Sequence, residues 1–489
     1  MRLYFLGICG TGMGNAALLM REMGHAVEGA DERAFPPMSE LLREQAITVH
    51  EGYSAERVAG LRPDLVVVGN AQTRGNPEVE WLLENPAQAY TSLPDLLGRE
   101  LLGQRRSVVV TGTHGKTTTA TLTAHLLREA ACEPGYLIGG VPKGWGLGAR
   151  LGASDAPFVI EGDEYDSAFF DKRSKFIHYR PNILILNNLE FDHGDIFRDL
   201  ADIQRSFNHL LKLVPASGWV LVNGDDANLA ALDPTPWTRR LRVGTGSDCD
   251  WQICDFQESP HGSRFRLVWR DPETARRALG SAADPAPLEV TLPLSGMFNA
   301  RNAAMATLAA RLAAPSPSAM LSQALAGFSG VRRRQEILHQ DARCILIEDF
   351  GHHPTAIAQT LDSLRARYPQ HRILAAFEPR SNTAVTNRFQ AEFADALARA
   401  HGVLLAPIYR ADKLPADQRL DREALLAHTA RHGAQPPLPH QACRDFDALQ
   451  ATALETLQRA TPDAPVLMVA FSNGAFGGIL PKLCTALAN

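Results

Sequence analysis

Val108-Val-Val-Thr-Gly-Thr-His-Gly-Lys-Thr-Thr-Thr119 decides how this chain is read. A β-branched run is followed by two glycines around a histidine, then by a lysine and three threonines. Ala120, Ala124, Leu127 and Ala131 then recur at helical spacing. Strand, glycine turn and helix N-terminus, in that order, bring backbone N–H groups close to an anion, with a lysine for charge and a hydroxyl for magnesium. Residues Gly112, Thr113, His114, Gly115, Lys116, Thr117 and Thr118 are therefore expected to hold the phosphates of ATP. The strict pattern G-x-x-x-x-G-K-[ST] would place a glycine at position 110, where this chain has Val110. The expectation rests on the strand and helix at either side, not on the pattern.

The same alternation continues outward. Short apolar runs ending in Gly, Asn or acidic residues alternate with helical patterns, which predicts parallel-sheet α/β architecture. The chain has 489 residues, and at roughly 150 per domain three domains are expected. In the first block a strand at residues 2–6 leads to a glycine turn and a helix to about Met23, with strands at 26–29 and 65–68. The second has strands at 107–110, 158–160, 183–186 and 219–222. From 251 to 294 it alternates polar and apolar residues, as antiparallel strands do. A helix at 300–312 follows, then the surface connection Ala314-Pro-Ser-Pro-Ser318. The third has strands at 344–348, 373–377, 403–407 and 466–471, with a loop at Gln435-Pro-Pro-Leu-Pro439.

Composition excludes several classes. Lys plus Arg total 49 against 54 Asp plus Glu, a net charge of -5, so no bulk basicity is present to hold nucleic acid. The longest apolar runs are too short to span a membrane. Seven scattered cysteines without C-x-x-C imply neither a disulfide framework nor a zinc knuckle. The start, Met1-Arg-Leu-Tyr-Phe-Leu6, lacks a cleavage pattern and is read as a strand, so a cytoplasmic protein is expected.

Two strand ends in the second block are acidic. Phe158-Val-Ile-Glu161 carries Glu161 to where a carboxylate could reach a metal on ATP, with Asp163, Glu164 and Asp166 adding charge. Ile183 to Leu186 runs into Asn187-Asn-Leu-Glu-Phe-Asp-His-Gly-Asp195, where Asp192 and His193 are candidates for a second metal ligand. Hard oxygens with one imidazole suit Mg²⁺ or Mn²⁺ better than zinc. In the first block, Leu6-Gly-Ile-Cys-Gly-Thr-Gly-Met-Gly14 opens a helix and Asp31 ends the next strand. G-x-G-x-x-G would need glycine at 15, where Asn15 stands, but N–H groups at a helix start still suit a pyrophosphate, whether from NAD, FAD or a UDP-sugar.

With the phosphate loop, Glu161, Asp192-His193, Asn299, Asn302 and Asp349-Phe-Gly-His-His-Pro354 in this order, the chain resembles the Mur ligase family along essentially its whole length. The resemblance implies a Rossmann-like UDP-sugar domain at 1–105, a central P-loop ATPase domain with extra antiparallel strands at 106–328, and a Rossmann-like acceptor domain at 329–489. It implies an amide ligase that phosphorylates a carboxylate with ATP and lets an amine attack the acyl phosphate. Lys116 would meet the β and γ phosphates, Thr117 and Glu161 one Mg²⁺, and His193 a second. Asn302 and Asn299 would meet adenine, and Asp349 and His352 the ribose side. Arg333 or Arg334 would stand near the phosphates, Arg333 being the one taken as catalytic. Gly10, Thr11, Gly12, Met13 and Asp31 would hold UDP-N-acetylmuramate. Two positions depart from the family pattern: Phe298 stands where a histidine precedes the asparagine in alanine-adding members, and no lysine follows His193 until Lys212.

Within the family, four segments resemble members whose acceptor is the murein tripeptide L-Ala-γ-D-Glu-meso-diaminopimelate. These are residues 164–176, Tyr179-Arg-Pro181, Phe377-Glu-Pro-Arg-Ser-Asn-Thr383 and residues 471–478. A multiply charged peptide needs cations that free L-alanine does not, and Arg380 is the candidate. L-Alanine remains the alternative acceptor, and a folylpolyglutamate-type ligase a more distant one. A nucleotide sensor without chemistry would leave Glu161 and His193 unused, and an NAD-dependent oxidoreductase would rest on residues 7–14 alone. His353 is a candidate base for the amine, and a monomer or weak homodimer is expected.

Overall fold

The computed structural model describes residues 1–34, 36, 38–280 and 285–488. Its first sheet is entirely parallel, in the spatial order Thr48–Glu51, Ala26–Asp31, Arg2–Leu6, Leu65–Val68, Tyr90–Ser92. The chain leaves Arg2–Leu6 between two neighbours laid down in opposite directions, so a crevice opens at its carboxyl end, where the glycine turn enters the helix Thr11–Glu22. The sheet is anchored from outside by Glu78, which is fully buried. Its Oε1 accepts from Tyr4 Oη (2.9 Å), Ser54 N (3.0 Å) and Arg57 Nη1 (3.2 Å). Glu78→Ala should cost about 3 kcal/mol, the scale for breaking a buried ion pair, because it strands three donors. Thermal melts of the variant check this, and an unchanged midpoint contradicts it.

The second sheet has ten strands centred on Ser107–Thr111. Ile183–Leu186 and Phe158–Glu161 flank it in parallel. Trp219–Asn223 and Arg239–Gly244 continue one side, and Gly135–Leu137 with the short Ala149–Arg150 closes the other. Beyond Arg239–Gly244 the sheet changes character as expected: Trp251–Ser259, Gly262–Trp269 and Leu288–Leu292 pair antiparallel. A helix, Pro272–Leu279, interrupts them, and residues 281–284 of that stretch lie outside the described residues. Helices Lys116–Glu129 and Met297–Ala313 pack together against the sheet. The threonines on the first are buried without penalty: Thr121 and Thr123 donate back to Thr117 O and Thr119 O.

The third sheet runs Glu336–Gln340, Cys344–Asp349, Val466–Phe471, Arg372–Phe377, Gly402–Leu405, His440–Ala442. Only the first pair is antiparallel. The strand expected at 403–407 stops at Leu405, and residues 434–439 form the expected loop. Residues following Asp349 and Phe377 reach the second domain: Thr383 donates to Asp192 Oδ1 (2.7 Å), and Asn382 Nδ2 to Asp195 Oδ2 (2.9 Å). On the opposite flank Arg367 donates to Pro260 O and Ser295 Oγ. All seven cysteines are free thiols. Among the described residues no helix is long and apolar enough to cross a membrane.

Candidate active site

A cavity of about 2070 Å³ lies where the three large sheets present their carboxyl ends. Gly10 and Asp31 border it from the first domain, Gly115 and Glu161 from the second, and Asp349 and His352 from the third. A single small ligand fills roughly 300–1000 Å³, so this volume accommodates more than one.

The phosphate loop is held rigidly by asparagines. Gly112 and Gly115 adopt φ of 132° and 80°. A Cβ on Gly115 would stand 2.5 Å from Asn302 Oδ1, and one on Gly112 would stand 2.9 Å from Asn187 Cβ, so both positions require glycine. Asn188 accepts from His114 N at Oδ1 (2.7 Å) and from Thr113 N at its carbonyl (3.2 Å). Thr119 Oγ1 receives from Asn187 Nδ2 (2.9 Å) and donates to Asn302 Oδ1 (3.1 Å). Asn302 Nδ2 donates to Asn299 Oδ1 (3.2 Å), and Asn299 Nδ2 to Ser295 O (2.7 Å). Asn299 and Asn302, expected at adenine, thus border the cavity but commit their amides to bracing the loop.

Around Lys116 the side chains form a charged relay. Its Nζ donates to Gly112 O (2.6 Å) and to Glu164 Oε2 (2.8 Å), and Glu164 Oε1 is 3.0 Å from His193 Nε2. Burial works against all three charges, yet each charged partner outweighs it: Lys116 and His193 are pushed up, and Glu164 is held down. His193 adopts φ of 55°, a strained backbone for a residue with a Cβ. Glu161 accepts from Thr117 Oγ1 (3.0 Å) and Gly139 N (2.6 Å). Burial pushes the Glu161 carboxyl up despite Gly139, Lys116 and Arg334, so a further cation beside it would be stabilising. A hydroxyl and a carboxylate adjacent at the cavity wall are the hard donors that Mg²⁺ takes, and the residues fit that ion. Glu164 was not singled out by sequence beyond general charge. Its spacing of three from Glu161 and its place at the head of the 164–176 segment are the signals, and neither tells which partner it meets.

The third domain supplies an arginine, but not the one expected. Arg333 donates through Nε to Glu348 Oε1 (2.8 Å) and through Nη2 to Ser472 O (2.8 Å) and Gly474 O. These acceptors hold its Nε and Nη2 within its own domain, although it too borders the cavity. Arg334 instead crosses the gap: its Nη2 lies 3.3 Å from Thr117 Oγ1, and its guanidinium stacks 4.4 Å over the Phe350 ring. Asp349 accepts from Gln335 N (2.9 Å) and Gly351 N (2.8 Å), and burial pushes its carboxyl up. His352 reaches within 3.7 Å of Asp192 Oδ2. Asp192, though buried, is held well below the ordinary carboxylate range by His352, His193 and His353.

In the first domain, Gly10 to Gly12 border the crevice. Asp31 Oδ2 accepts from Cys9 N (2.9 Å) and so fixes the turn. Met13 borders the same cavity but is largely buried, packing near Gly10 and Gly69. Arg380 is not in the large cavity. It stacks 3.9 Å over Tyr409, pairs with Glu378 Oε1 at 3.3 Å, and lies so close to Gly474 that a Cβ there would stand within 2.5 Å of it. With Arg388, Arg410 and Lys413 it lines a second cavity of about 590 Å³, where Asp195 is the one carboxylate among the lining residues.

A phosphate-loop domain between two largely parallel α/β domains, with a lysine, a carboxylate and an imidazole converging at one cavity, is the layout of a nucleotide-dependent enzyme. Three comparisons make the class specific. Residues 2–103 match the Mur ligase family catalytic domain, residues 110–310 the Mur ligase middle domain and residues 333–470 the Mur ligase glutamate ligase domain. The chain belongs to the Mur ligase family of ATP-dependent ligases. It is 41% identical over 491 residues to the UDP-N-acetylmuramate–L-alanyl-gamma-D-glutamyl-meso-2,6-diaminoheptandioate ligase of Escherichia coli, covering 100% of this chain and 98% of that protein. A UDP-N-acetylmuramate–L-alanine ligase of Bradyrhizobium is 32% identical over 440 residues, covering 89% of each. The crystal structure of a murein peptide ligase from Psychrobacter arcticus superposes with a TM-score of 0.69 at 34% identity, over 100% of this chain and 99% of that one.

Proposed function

We propose that this protein joins UDP-N-acetylmuramate to L-alanyl-γ-D-glutamyl-meso-diaminopimelate, with ATP converted to ADP and phosphate. The observation that carries the reading is the single cavity bordered by the glycine turn, the phosphate loop and the third domain, in which a carboxylate, a triphosphate and an amine can meet. The choice of acceptor is supported by full-length similarity to a tripeptide ligase at 41% identity, against 32% over a shorter span for an alanine ligase.

The roles follow from the geometry. N–H groups after Gly10 receive the pyrophosphate of the UDP-sugar, whose carboxylate points toward Lys116. Lys116 releases Glu164 and moves to the β and γ phosphates, while Glu164 stays paired with His193. Thr117 and Glu161 would hold Mg²⁺, which would spread charge on the transferred phosphoryl group, and His193 would have to turn from Glu164 to meet a second ion. Arg334 takes the place first assigned to Arg333. Asn302 and Asn299 face adenine while bracing the loop, and Asp349 and His352 border the ribose side. The domain limits we assign are 1–105, 106–328 and 329–489.

The test is ADP release by purified protein. It should require UDP-N-acetylmuramate and the tripeptide together, with L-alanine a poor substitute; equal rates with L-alanine would move the protein to the alanine-adding class. The cationic second cavity is the subsite for the acceptor's carboxylates. Arg380→Ala should weaken tripeptide use by about 1.5–3 kcal/mol, the range for a lost charge-assisted hydrogen bond, raising its KM with that for ATP unchanged. A parallel rise in the KM for ATP would make Arg380 structural.

A further inference from the structure

A second cluster of metal-ligand side chains lies in the seam between the second and third domains, apart from Glu161 and His193. Glu190 Oε2 is 3.2 Å from His114 Nε2 and 3.3 Å from His353 Nδ1. One donor atom from each of the three residues lies within 4.8 Å of the other two. The His114 and His353 rings converge at 4.7 Å between centroids.

The surroundings of His353 are the most closely defined of the three. His353 is buried, at 4% exposure. Its Nε2 faces Phe191 O at 3.3 Å, so that nitrogen carries the proton. Its Nδ1 lies 3.3 Å from Glu190 Oε2 and 3.4 Å from Thr355 N at the start of helix Pro354–Arg367, so an ion bound there would take its single lone pair in place of the long contact to Thr355 N.

We propose that His114, Glu190 and His353 form a binding site for a borderline transition-metal ion, with Zn²⁺ the best fit. Zinc bonds of about 2.0–2.1 Å in a tetrahedron place ligand atoms about 3.3–3.4 Å apart, close to the two separations observed. Two imidazoles and one carboxylate suit zinc and disfavour Mg²⁺, which takes oxygens. Phe191 O orients His353 from behind, as outer partners of metal-bound histidines do. Because His114 belongs to the phosphate loop and His353 to the third domain, a bound ion clips the two domains together across the nucleotide site.

The experiment titrates chelator-stripped, full-length protein with Zn²⁺ alone, and separately with Co²⁺ to read coordination from its visible spectrum. One Zn²⁺ per chain and tetrahedral Co²⁺ bands are expected. Glu190→Gln and His353→Gln should each weaken Zn²⁺ binding by roughly 100-fold or more, since even loss of an outer partner costs 10–100-fold. His193→Ala should leave it unchanged. Zinc-edge X-ray absorption on the unmodified protein should show two imidazoles and oxygen, a readout that needs no variant to fold. No binding by the unmodified protein, full affinity in both variants, loss in His193→Ala, or a sulfur ligand would each overturn the site.

Discussion

Lys116→Ala is expected to lower ligation turnover by about 100-fold or more, the scale for removing one preorganised charge from a developing phosphoryl transition state. The structure says why nothing else substitutes. Lys116 is the cation in direct contact with the loop carbonyl of Gly112, and the neighbouring acids Glu164 and Glu161 have the wrong sign. The change also removes one of two partners of Glu164, which is 3% exposed, and leaves it with His193. Stability is therefore measured beside turnover, by thermal melting of the same preparation. A folded Lys116→Ala protein that ligates at a near-normal rate would sink the assignment of the phosphate loop.

The second large effect separates two neighbouring arginines. Arg334→Ala should reduce turnover about 1000-fold, as for an arginine supplied across a gap to a transferring phosphoryl group, with little change in melting temperature. Its guanidinium spans from Phe350 to Thr117 and no described acidic side chain holds it at hydrogen-bonding distance, so it can shift toward a phosphate. Arg333→Ala should show the reverse. Glu348, already pushed up by burial, loses its partner, and the carbonyls of Ser472 and Gly474 lose a donor. Melting temperature should fall while turnover stays within about tenfold of the parent. Steady-state kinetics and melts on both variants decide it, and the opposite pattern returns the catalytic role to Arg333.

Much of the architecture was legible because it is encoded locally. The apolar cores of the parallel strands, such as Arg2–Leu6, Ile183–Leu186 and Val466–Phe471, are buried on both faces and read as continuous runs. The strands missed are mostly at sheet margins. Thr48–Glu51, Tyr90–Ser92, Glu336–Gln340 and His440–Ala442 are short and partly exposed, and Arg239–Gly244 carries three arginines. Their conformation follows from the neighbour they pair with, which lies elsewhere in the chain.

By itself the sequence determined the three parallel α/β blocks, the phosphate loop and its lysine, and the presence of Glu161 and His193 at strand ends. Each of these is a contiguous order of strand, glycine and helix whose geometry is set by backbone sterics and by side chains a few residues apart. Tertiary structure alone decided that Arg334 and not Arg333 reaches Thr117, and that Glu164 joins Lys116 to His193. It alone placed Arg380 in a separate cationic cleft, and His353 against Glu190 and His114. These contacts join residues tens to hundreds of positions apart, so they depend on how whole domains pack, and neighbouring side chains with the same chemistry are told apart only by where that packing points them.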